Sequence, residues 1–353
     1  MPGVGYQVHG LAMTPNTAIM PSFGDFLYTQ LILRIPKPTA SFASKTVIIT
    51  GASSGLGKEA AKHIARLGAS KIILGCRSIS KGEKAKLEIE STVRCSPNVL
   101  EVWQVDIESP PSMTEFVARV NQLPRLDVVI NNAGIQTINY QVAYGTERTL
   151  AVNVIGTFLL ALQLIPKLKE TAKVYKATPR MTFVSSALYD VAKYPDDHGD
   201  DIFTWFNDKS HAEMMNQYNL SKLLLTHAII KLSSLVHPVS DDKSSNQIVI
   251  NSLDPCFCKT DLASELSGGL KVFFKVFESL FARSADEGSR LVVQTASAGR
   301  ESHGGYFRAA ELRGYIPSIT SVDGARRREY IWEVLSRKLE KLQPGIMANV
   351  DNV

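Results

Sequence analysis

The sequence predicts an α/β protein in which a doubly wound parallel sheet is flanked by helices and carries an extension at each end. Two features predict this fold. The apolar run from Val47 to Ile49 stops at a cluster of glycines, and an amphipathic helix follows it. After about one helix length, Lys71-Ile-Ile-Leu-Gly supplies a second strand, so that the two strands and their helix form a βαβ unit.

Composition agrees with one large domain, because 353 residues at 44% hydrophobic can bury a substantial core. The net charge of +5 is mild, and apart from Arg326-Arg327-Arg328 the basic residues are spread along the chain, so no nucleic-acid partner is predicted. The four cysteines are too irregularly spaced for a disulfide framework, which favours a reduced compartment. Cys256 and Cys258 lack a partner pair for zinc, and no metal is predicted.

The turn after the first strand indicates a dinucleotide site. Its glycines permit positive φ and leave no Cβ in the way, so the backbone and the N-terminus of the new helix can approach a pyrophosphate. The alternative is a tight turn without a ligand. The turn residues predicted to bind the cofactor are Gly51, Ser53, Ser54, Gly55, Leu56 and Gly57.

Position 77 indicates which dinucleotide binds. An acidic residue at that strand end would bond the ribose 2′-hydroxyl of NAD and repel a 2′-phosphate. The sequence has Gly75-Cys76-Arg77 there, and an arginine can bind a phosphate through two parallel hydrogen bonds. NADP(H) is therefore the predicted cofactor, with a plain surface arginine as the alternative.

Tyr218 and Lys222 stand four residues apart on one predicted helix and therefore share a face. A phenol ordinarily has a pKa near ~10, so it exchanges protons poorly at neutral pH unless a nearby cation favours the ionised form. Lys222 is expected to be that cation and to lower the pKa of Tyr218. By itself the spacing also occurs by chance on solvated helices.

Taken together, these motifs resemble the short-chain dehydrogenase/reductase family over residues 45–310, and the resemblance implies a Rossmann-type fold. Thr50 to Gly57 match the family's cofactor turn. The resemblance also implies roles for residues further along the chain. Asp106 would contact the adenine, Asn153 would hold a water in a proton relay, and Ser186 rather than Ser185 would be the catalytic serine. The strand end beside the adenine would be formed by Asn132, Ala133 and Gly134.

The chemistry implied for this set is hydride transfer to or from a carbonyl carbon. The carbonyl oxygen would lie between Ser186, which positions and polarises it, and Tyr218, which donates the proton during reduction. Lys222 would also bind the ribose of the nicotinamide nucleotide. In the oxidative direction the roles reverse.

Two departures from the family pattern qualify this interpretation. Where the family has Pro-Gly, this chain has Pro255-Cys256, so either the loop adopts negative φ or the pocket is reshaped. Cys258 and Thr260 are still expected to bind the nicotinamide carboxamide. The second departure is the 32-residue separation between Ser186 and Tyr218. This separation resembles the retinol-dehydrogenase-like branch, which includes fungal secondary-metabolite reductases.

The long connection holds an acidic turn, residues 195–201, followed by the aromatic cluster of residues 202–206. Because the acidic turn and the aromatic cluster lie between two catalytic residues, they are predicted to form a rim of the substrate pocket. A solvated acidic loop and a metal loop are the alternatives. A second pocket wall is expected at residues 262–285, where Phe273, Val276, Phe277 and Leu280 form a helical stripe. The stripe is interpreted as a substrate lid, with core packing and membrane contact as alternatives.

The two ends are predicted to be extensions of the catalytic domain. Residues 1–44 contain no Lys or Arg before Arg34, unlike a signal or transit peptide, and residues 23–35 have the composition of an amphipathic helix. This helix is expected to pack on the domain or to skim a membrane. Residues 311–353 are expected to hold a packing helix at about 325–342. No apolar run reaches the ~20 residues of a membrane span. The expected location is the cytoplasm, and peripheral contact with a membrane is an alternative to a purely cytoplasmic location.

The predicted function is an NADP-dependent oxidoreductase that interconverts a ketone or aldehyde and an alcohol. The substrate is expected to be a bulky, apolar small molecule of polyketide or terpenoid type from secondary metabolism. Retinol-like or steroid-like alcohols, and a non-redox cyclase or epimerase on the same fold, are the alternatives. The resemblance does not decide whether the protein is a monomer or a homodimer.

Overall fold

A central parallel sheet organises the chain in the computed structural model, which describes residues 23–96, 98–236, 248–259 and 268–351. Among these residues the main sheet has eight strands, in the order β10-β9-β8-β7-β4-β1-β2-β3. Its strands are β1 (Thr46–Thr50), β2 (Lys71–Cys76), β3 (Leu100–Gln104), β4 (Val128–Asn131), β7 (Arg180–Val184), β8 (Val249–Leu253), β9 (Tyr306–Arg308) and β10 (Glu311–Arg313). A separate small hairpin pairs β5 (Val142–Ala143) with β6 (Thr146–Glu147).

Helices cover both faces of the sheet. They are α1 (Phe23–Leu27), α2 (Gly55–Arg66), α3 (Ile79–Thr92), α4 (Pro110–Val120), α5 (Arg148–Leu150), α6 (Thr157–Tyr175), α7 (Ile202–Trp205), α8 (Met214–Leu235), α9 (Gly268–Phe281), α10 (Ala285–Ser297), α11 (Pro317–Thr320), α12 (Val322–Leu342) and α13 (Ala348–Asp351). Two π-helical segments occur at Tyr28–Ile32 and Ala151–Gly156.

Chain order reverses beside β1, which has β2 on one side and β4 on the other, both parallel to it. In an open α/β sheet such a reversal leaves a crevice beyond the carboxyl ends of the strands, where ligands bind. The strands β1, β4 and β7 all end at this crevice. The predicted α/β class with a doubly wound sheet is confirmed.

Strand pairing buries a core on each face of the sheet. One cluster joins the sheet to α4, α6, α8 and α12, and includes Phe158, Phe183 and Trp332. The other joins it to α2 and α10, and includes Ile64 and Val292. Because both faces are covered, the central strands are continuous apolar runs rather than alternating ones, as Val47 to Ile49 show.

The sheet and the last long helix extend past the expected boundaries. Residues 311–313 form β10, which pairs antiparallel with β9, so the sheet does not end at residue 310. The C-terminal helix begins at Val322 rather than about 325, because Ser321 caps it by accepting a hydrogen bond from the backbone N–H of Gly324. Its apolar side packs into the core, where Trp332 meets Phe158 edge-on at 6.1 Å.

One continuous helical stretch, Arg148–Tyr175, is long and apolar enough by length and composition to span a membrane. In the fold, 94% of its most apolar window is buried. Phe158 and Leu162 on this stretch are fully buried in the core, and burial of this kind is typical of a core helix.

Candidate active site

A cavity of about 1150 Å³ lies in the crevice at the carboxyl ends of the central strands. It is larger than the ~300–1,000 Å³ of most small-molecule sites, so it has room for an extended ligand or for two ligands together. The sequence-predicted site residues that line it are Gly51, Ser53, Ser54, Gly55, Leu56, Arg77, Asp106, Asn132, Ala133, Gly134, Ser186, Tyr218, Lys222 and Cys258.

The glycine turn is held open by its contact with the end of β4. Gly51 has φ +66°, and a Cβ on it would lie 3.0 Å from the Cα of Ala133. Gly57 has a helical backbone, and there a Cβ would lie 2.6 Å from the carbonyl oxygen of Gly51. Glycine is therefore needed at position 57 for space rather than for φ. The amide of Asn132 donates to the carbonyl oxygen of Thr50 at 2.9 Å and fixes the same contact.

The start of α2 faces the cavity with free donors. The N-cap residue Ser54 makes no side-chain hydrogen bond to the first turn of the helix. The backbone N–H groups at a helix N-terminus have no partner within the helix and carry partial positive charge, which suits a pyrophosphate. The turn therefore fits a dinucleotide on its own geometry.

Arg77 lies at the end of β2, as predicted from the sequence, and two thirds of its side chain is exposed. Its nearest acidic group is Glu108 at 3.6 Å, a carboxylate already bound by Arg148 through two hydrogen bonds of 2.6 and 2.7 Å. Glu108 is therefore neutralised mainly by Arg148, and Arg77 remains available to a second anion.

The sequence interpretation missed two lysines beside Arg77. Lys81 and Lys84, one helical turn apart at the start of α3, also line the cavity. Their three-residue spacing immediately after Arg77 was visible in the sequence as a basic cluster. The cavity wall next to Arg77 is thus positively charged, which suits a phosphate.

Asp106 lines the cavity, and its contact with the adenine stays a prediction. One carboxylate oxygen accepts a hydrogen bond of 3.0 Å from the backbone N–H of Glu108, which fixes the turn after β3. The side chain of Asn132 is used internally, by the carbonyls of Thr50 and Gly51, so its contact with a ligand would come through the backbone.

The two neighbouring serines that follow β7 lie in different environments. Ser185 is buried and its hydroxyl pairs with that of Thr226 on α8 at 3.2 Å. Ser186 is partly exposed and caps the following turn by accepting a hydrogen bond of 3.2 Å from the N–H of Leu188. Alternation along an extended chain points the two side chains to opposite sides, which places Ser186 on the side of Tyr218.

Tyr218 and Lys222 share one face of α8 as predicted, with the Lys222 Nζ 5.5 Å from the phenol ring centroid. Both side chains are buried, and Nζ donates to the carbonyl oxygen of Val184 at 2.8 Å. Nζ has two further donors, which are the groups expected to reach a ribose.

The pKa of Tyr218 lies above its ordinary value, and not below it as expected from the position of Lys222. Burial raises the pKa of Tyr218, the negative charge of Asp254 raises it further, and only the Ser186 hydroxyl acts to lower it. Burial also lowers the pKa of Lys222 to about 8. Removing both groups from water disfavours their charged forms, and desolvation is the largest cause of both shifts. At neutral pH Tyr218 is therefore a protonated phenol.

Asn153 lies in the π-helical segment Ala151–Gly156, between the loop after β4 and α8, and is not among the described residues that line the cavity. Its Oδ1 accepts from the N–H of Ile135 at 2.8 Å, and its Nδ2 donates to Ile135 and to the Ser221 hydroxyl, both at 2.9 Å. The Ser221 hydroxyl in turn donates to the Tyr218 carbonyl at 2.7 Å. The amide thus ties the loop after β4 to α8, and its role in holding a water stays a prediction.

Cys256 adopts φ +65°, so the loop keeps the left-handed conformation that glycine normally supplies. The first of the two alternatives, negative φ, is therefore wrong. Two residues further on, the Cys258 thiol is buried and donates to the Pro255 carbonyl at 3.2 Å, which leaves its backbone to face the cavity. Thr260 lies outside the described residues.

Helix α9 forms part of the cavity wall through Phe277 and Glu278. Phe277 contacts Phe257 on the loop after β8, with ring centroids 5.5 Å apart. Val276 and Leu280 are more than half exposed, so the apolar stripe is not core packing. The side chain of Phe273, the fourth stripe residue, lies outside the described residues.

The N-terminal helix closes the cavity from outside, a contribution that the sequence did not reveal. Phe26 stacks on Phe277 at 6.0 Å, and the Arg283 guanidinium donates to the carbonyl of Thr29. With its amide oriented to match donors and acceptors, Gln30 accepts from the N–H of Phe257 at 2.9 Å and donates to its carbonyl oxygen at 3.3 Å. The extension is therefore bonded to the same loop that carries Cys256.

The predicted rim at residues 195–206 is wrong, because none of these residues lines the cavity. The wall is formed instead by the first turn of the same connection, through Leu188, Asp190 and Val191. The acidic turn packs instead on α12, where His198 hydrogen-bonds Tyr330 at 3.0 Å, and Phe203 is fully buried in the core. The aromatic residues pack in the core because α12 offers them an apolar face.

In the described part of the chain, no group of three or more metal-ligating side chains could hold a metal ion.

Comparison with known proteins assigns the class. A family model described as short chain dehydrogenase matches residues 45–187. The short chain dehydrogenase/reductase dmxR8 of Cryptosporiopsis sp. is 39% identical over 329 residues, which cover 92% of this chain and 99% of that protein. The short chain dehydrogenase FGM9 of Gibberella zeae is 36% identical over 327 residues, which cover 92% of this chain and 94% of that protein. The chain therefore belongs to the short-chain dehydrogenase family and is an oxidoreductase.

Solved structures agree on the fold. A short-chain type dehydrogenase/reductase from Mycobacterium marinum superposes with a TM-score of 0.57 at 19% identity, covering 76% of this chain and 94% of that chain. An NADPH-bound carbonyl reductase from chicken fatty liver gives 0.56 at 20% identity, covering 77% of this chain and 100% of that chain.

Replacing Cys256 with glycine is expected to raise the free energy of unfolding by about 1 kcal/mol, because a side chain at φ +65° costs about 1–2 kcal/mol that glycine avoids. Urea unfolding of Cys256→Gly measures the change. Cys256→Ala is the matched control, since it removes the thiol but keeps the Cβ and its strain. Equal stability of Cys256→Gly and the parent chain would contradict the account.

Proposed function

We propose that the chain is an NADP(H)-dependent reductase that converts a ketone or aldehyde to an alcohol, with Tyr218 as the proton donor. The single observation that carries this proposal is the arrangement of Ser186, Tyr218 and Lys222 in the same cavity as the glycine turn. The positive wall formed by Arg77, Lys81 and Lys84 supports a phosphorylated ribose rather than a free hydroxyl.

Bound NADPH supplies the hydride. The chain's own groups hold the carbonyl and deliver the proton. The Ser186 hydroxyl donates to the carbonyl oxygen and polarises it, while Tyr218 transfers its phenolic proton to that oxygen as negative charge develops there. The two free donors of the Lys222 ammonium hold a ribose hydroxyl, and the positive charge of Lys222 stabilises the phenolate that remains.

The protonation state of the site matches the start of the reduction. Burial and Asp254 raise the pKa of Tyr218, so at neutral pH the phenol keeps the proton that reduction uses. In the oxidative direction the same group would start as the phenolate, with the Lys222 ammonium stabilising it. The substrate that the cavity supports is bulky, because the aromatic rings of Phe26, Phe257 and Phe277 enclose an apolar side next to the polar catalytic groups.

We further propose that this substrate is a polyketide- or terpenoid-type ketone or aldehyde, in line with the similarity to fungal short-chain dehydrogenases, and that the protein works in the cytoplasm. Peripheral membrane contact is supported by an apolar patch on the outer side of the N-terminal helix and α9. The exposed apolar side chains of this patch are Tyr28, Leu31, Ile32, Val276 and Leu280. A surface of this kind is typical of an interaction site.

Tyr218→Phe is expected to lower kcat for NADPH-dependent reduction by about 10²–10⁴-fold, the usual contribution of a general acid, with NADPH affinity retained. The assay is NADPH oxidation against a panel of bulky ketones and aldehydes, with cofactor binding measured by fluorescence. Tyr175→Phe, a partly exposed tyrosine on α6, is the matched control. Near-normal turnover by Tyr218→Phe would refute the proposed acid.

Arg77→Gln is expected to raise the KM for NADPH by about 10–100-fold and to leave the KM for NADH nearly unchanged, because a hydrogen-bonded ion pair to a phosphate is worth about 1.5–3 kcal/mol. Steady-state kinetics with each cofactor measure the ratio. Lys86→Gln, on α3 but outside the cavity lining, is the control. An equal effect on both cofactors would place Arg77 away from the 2′-phosphate.

The kcat/KM for reduction is expected to fall as the pH rises through about 8, because Lys222 then loses the proton and the charge that support Tyr218. Below that pH the ammonium is charged and activity is full. In Lys222→Arg the guanidinium stays charged, so whatever activity remains should lack this falling limb. A limb at the same pH in both proteins would assign it to another group.

A further inference from the structure

Beyond Ser186 and Tyr218, the cavity wall carries a group of charged side chains that neither bind the carbonyl nor transfer the proton in the proposed reaction. Asp190, Asp254 and Arg308 all line the cavity. We call these three residues the polar wall. They come from the turn after β7, the loop after β8 and the end of β9, so the tertiary fold alone brings them together.

The polar wall has two carboxyl groups and one guanidinium. Nη1 of Arg308 bonds Oδ2 of Asp190 at 2.5 Å, and Oδ1 of Asp254 accepts from the N–H of Ala187 at 3.1 Å. Arg308 lies close enough to Asp254 to favour the ionised form of that carboxyl, while burial raises the pKa of both aspartates. One cation therefore serves two buried acids, an arrangement that is costly unless further polar groups enter the site.

Unused hydrogen-bonding capacity lies at the same place. A quarter of the Arg308 side chain is exposed, and within the described residues it bonds through Nη1 alone, which leaves the donors on Nε and Nη2 for a ligand. The Asp190 side chain is 1% exposed, so its carboxyl, whose Oδ1 has no hydrogen-bond partner in the described chain, is enclosed beside the guanidinium. A buried acceptor without a donor costs about 1–3 kcal/mol, so the polar wall is short of donors.

We propose that the polar wall binds a hydroxyl group of the substrate, remote from the reacting carbonyl, which accepts from the free donors of Arg308 and donates to a carboxyl group of the wall. A hydroxyl is both donor and acceptor, so it can serve the exposed guanidinium and supply the missing donor at once. The substrate class is then a bulky hydroxylated ketone or aldehyde rather than a wholly apolar one. Asp254 lies beside Ser186 and Tyr218 and joins this hydroxyl site to the reaction centre.

This inference rests on the proposed function, and equilibrium binding tests it separately from turnover. The probes are α-tetralone and its ring-hydroxylated derivatives, titrated by calorimetry into the NADPH complex of Tyr218→Phe, which is expected to bind ketones and to reduce them too slowly to disturb the titration. At least one hydroxylated derivative is expected to bind about 10–100-fold more tightly than α-tetralone, the value of a hydrogen bond to a charged group. Reduction of the same ketones by the parent chain tests the proposed function.

Two substitutions assign the preference to the polar wall. In the Tyr218→Phe background, Asp190→Asn keeps the shape of the side chain and Arg308→Lys keeps the positive charge. Each is expected to bring the hydroxylated and unsubstituted probes close to equal affinity, with NADPH affinity unchanged. Arg313→Lys is the control, because this exposed arginine on the neighbouring strand pairs with Glu311 at 2.7 Å and is not among the described residues that line the cavity.

The outcomes separate the two claims. A hydroxyl preference in binding that both substitutions abolish, together with no reduction of any probe, would support the polar wall and refute the reductase. Equal binding of every hydroxylated probe and α-tetralone would overturn the inference, as would a preference that survives both substitutions, even if all the ketones are reduced.

Discussion

The active site depends on the close contact between the glycine turn after β1 and the residues after β4. Gly51 and Gly57 have no room for a Cβ, because Ala133, Asn132 and the turn's own backbone occupy the space. The Thr50 hydroxyl accepts from the N–H groups of Asn132 and Ala133, both at 3.0 Å, and holds the two strand ends together. This contact aims the N-terminus of α2 into the crevice, so the proposed pyrophosphate site depends on it.

Burial is the second constraint, and it acts on charge. Tyr218 and Lys222 are both enclosed, and desolvation disfavours the phenolate of one and the ammonium of the other. The pair is therefore poised to donate a proton and to stabilise the anion only as it forms. The same argument applies to Asp190 and Asp254, whose buried carboxyls lie within the field of Arg308 and favour a ligand that brings hydrogen bonds with it.

The N-terminal extension and α9 act together as one wall of the site. Phe26 stacks on Phe277, Gln30 bonds the backbone of Phe257, and Arg283 bonds the carbonyl of Thr29. The loop that carries Cys256 therefore lies between the core sheet and the extension. Its left-handed backbone is retained with a side chain present, which indicates that the packing around it outweighs the strain.

The sequence by itself determined the α/β class, the family, the glycine turn, Arg77 and the shared face of Tyr218 and Lys222, because each of these depends on local spacing and on the order of strands. It also separated Ser186 from Ser185. Tertiary structure alone decided the direction of the Tyr218 pKa shift, the core position of Phe203, the sheet's extension to β10 and the meeting of Asp190 with Arg308. The physical reason is that burial and partners distant in sequence set these properties, and a local pattern carries no information about the water that folding removes from a side chain.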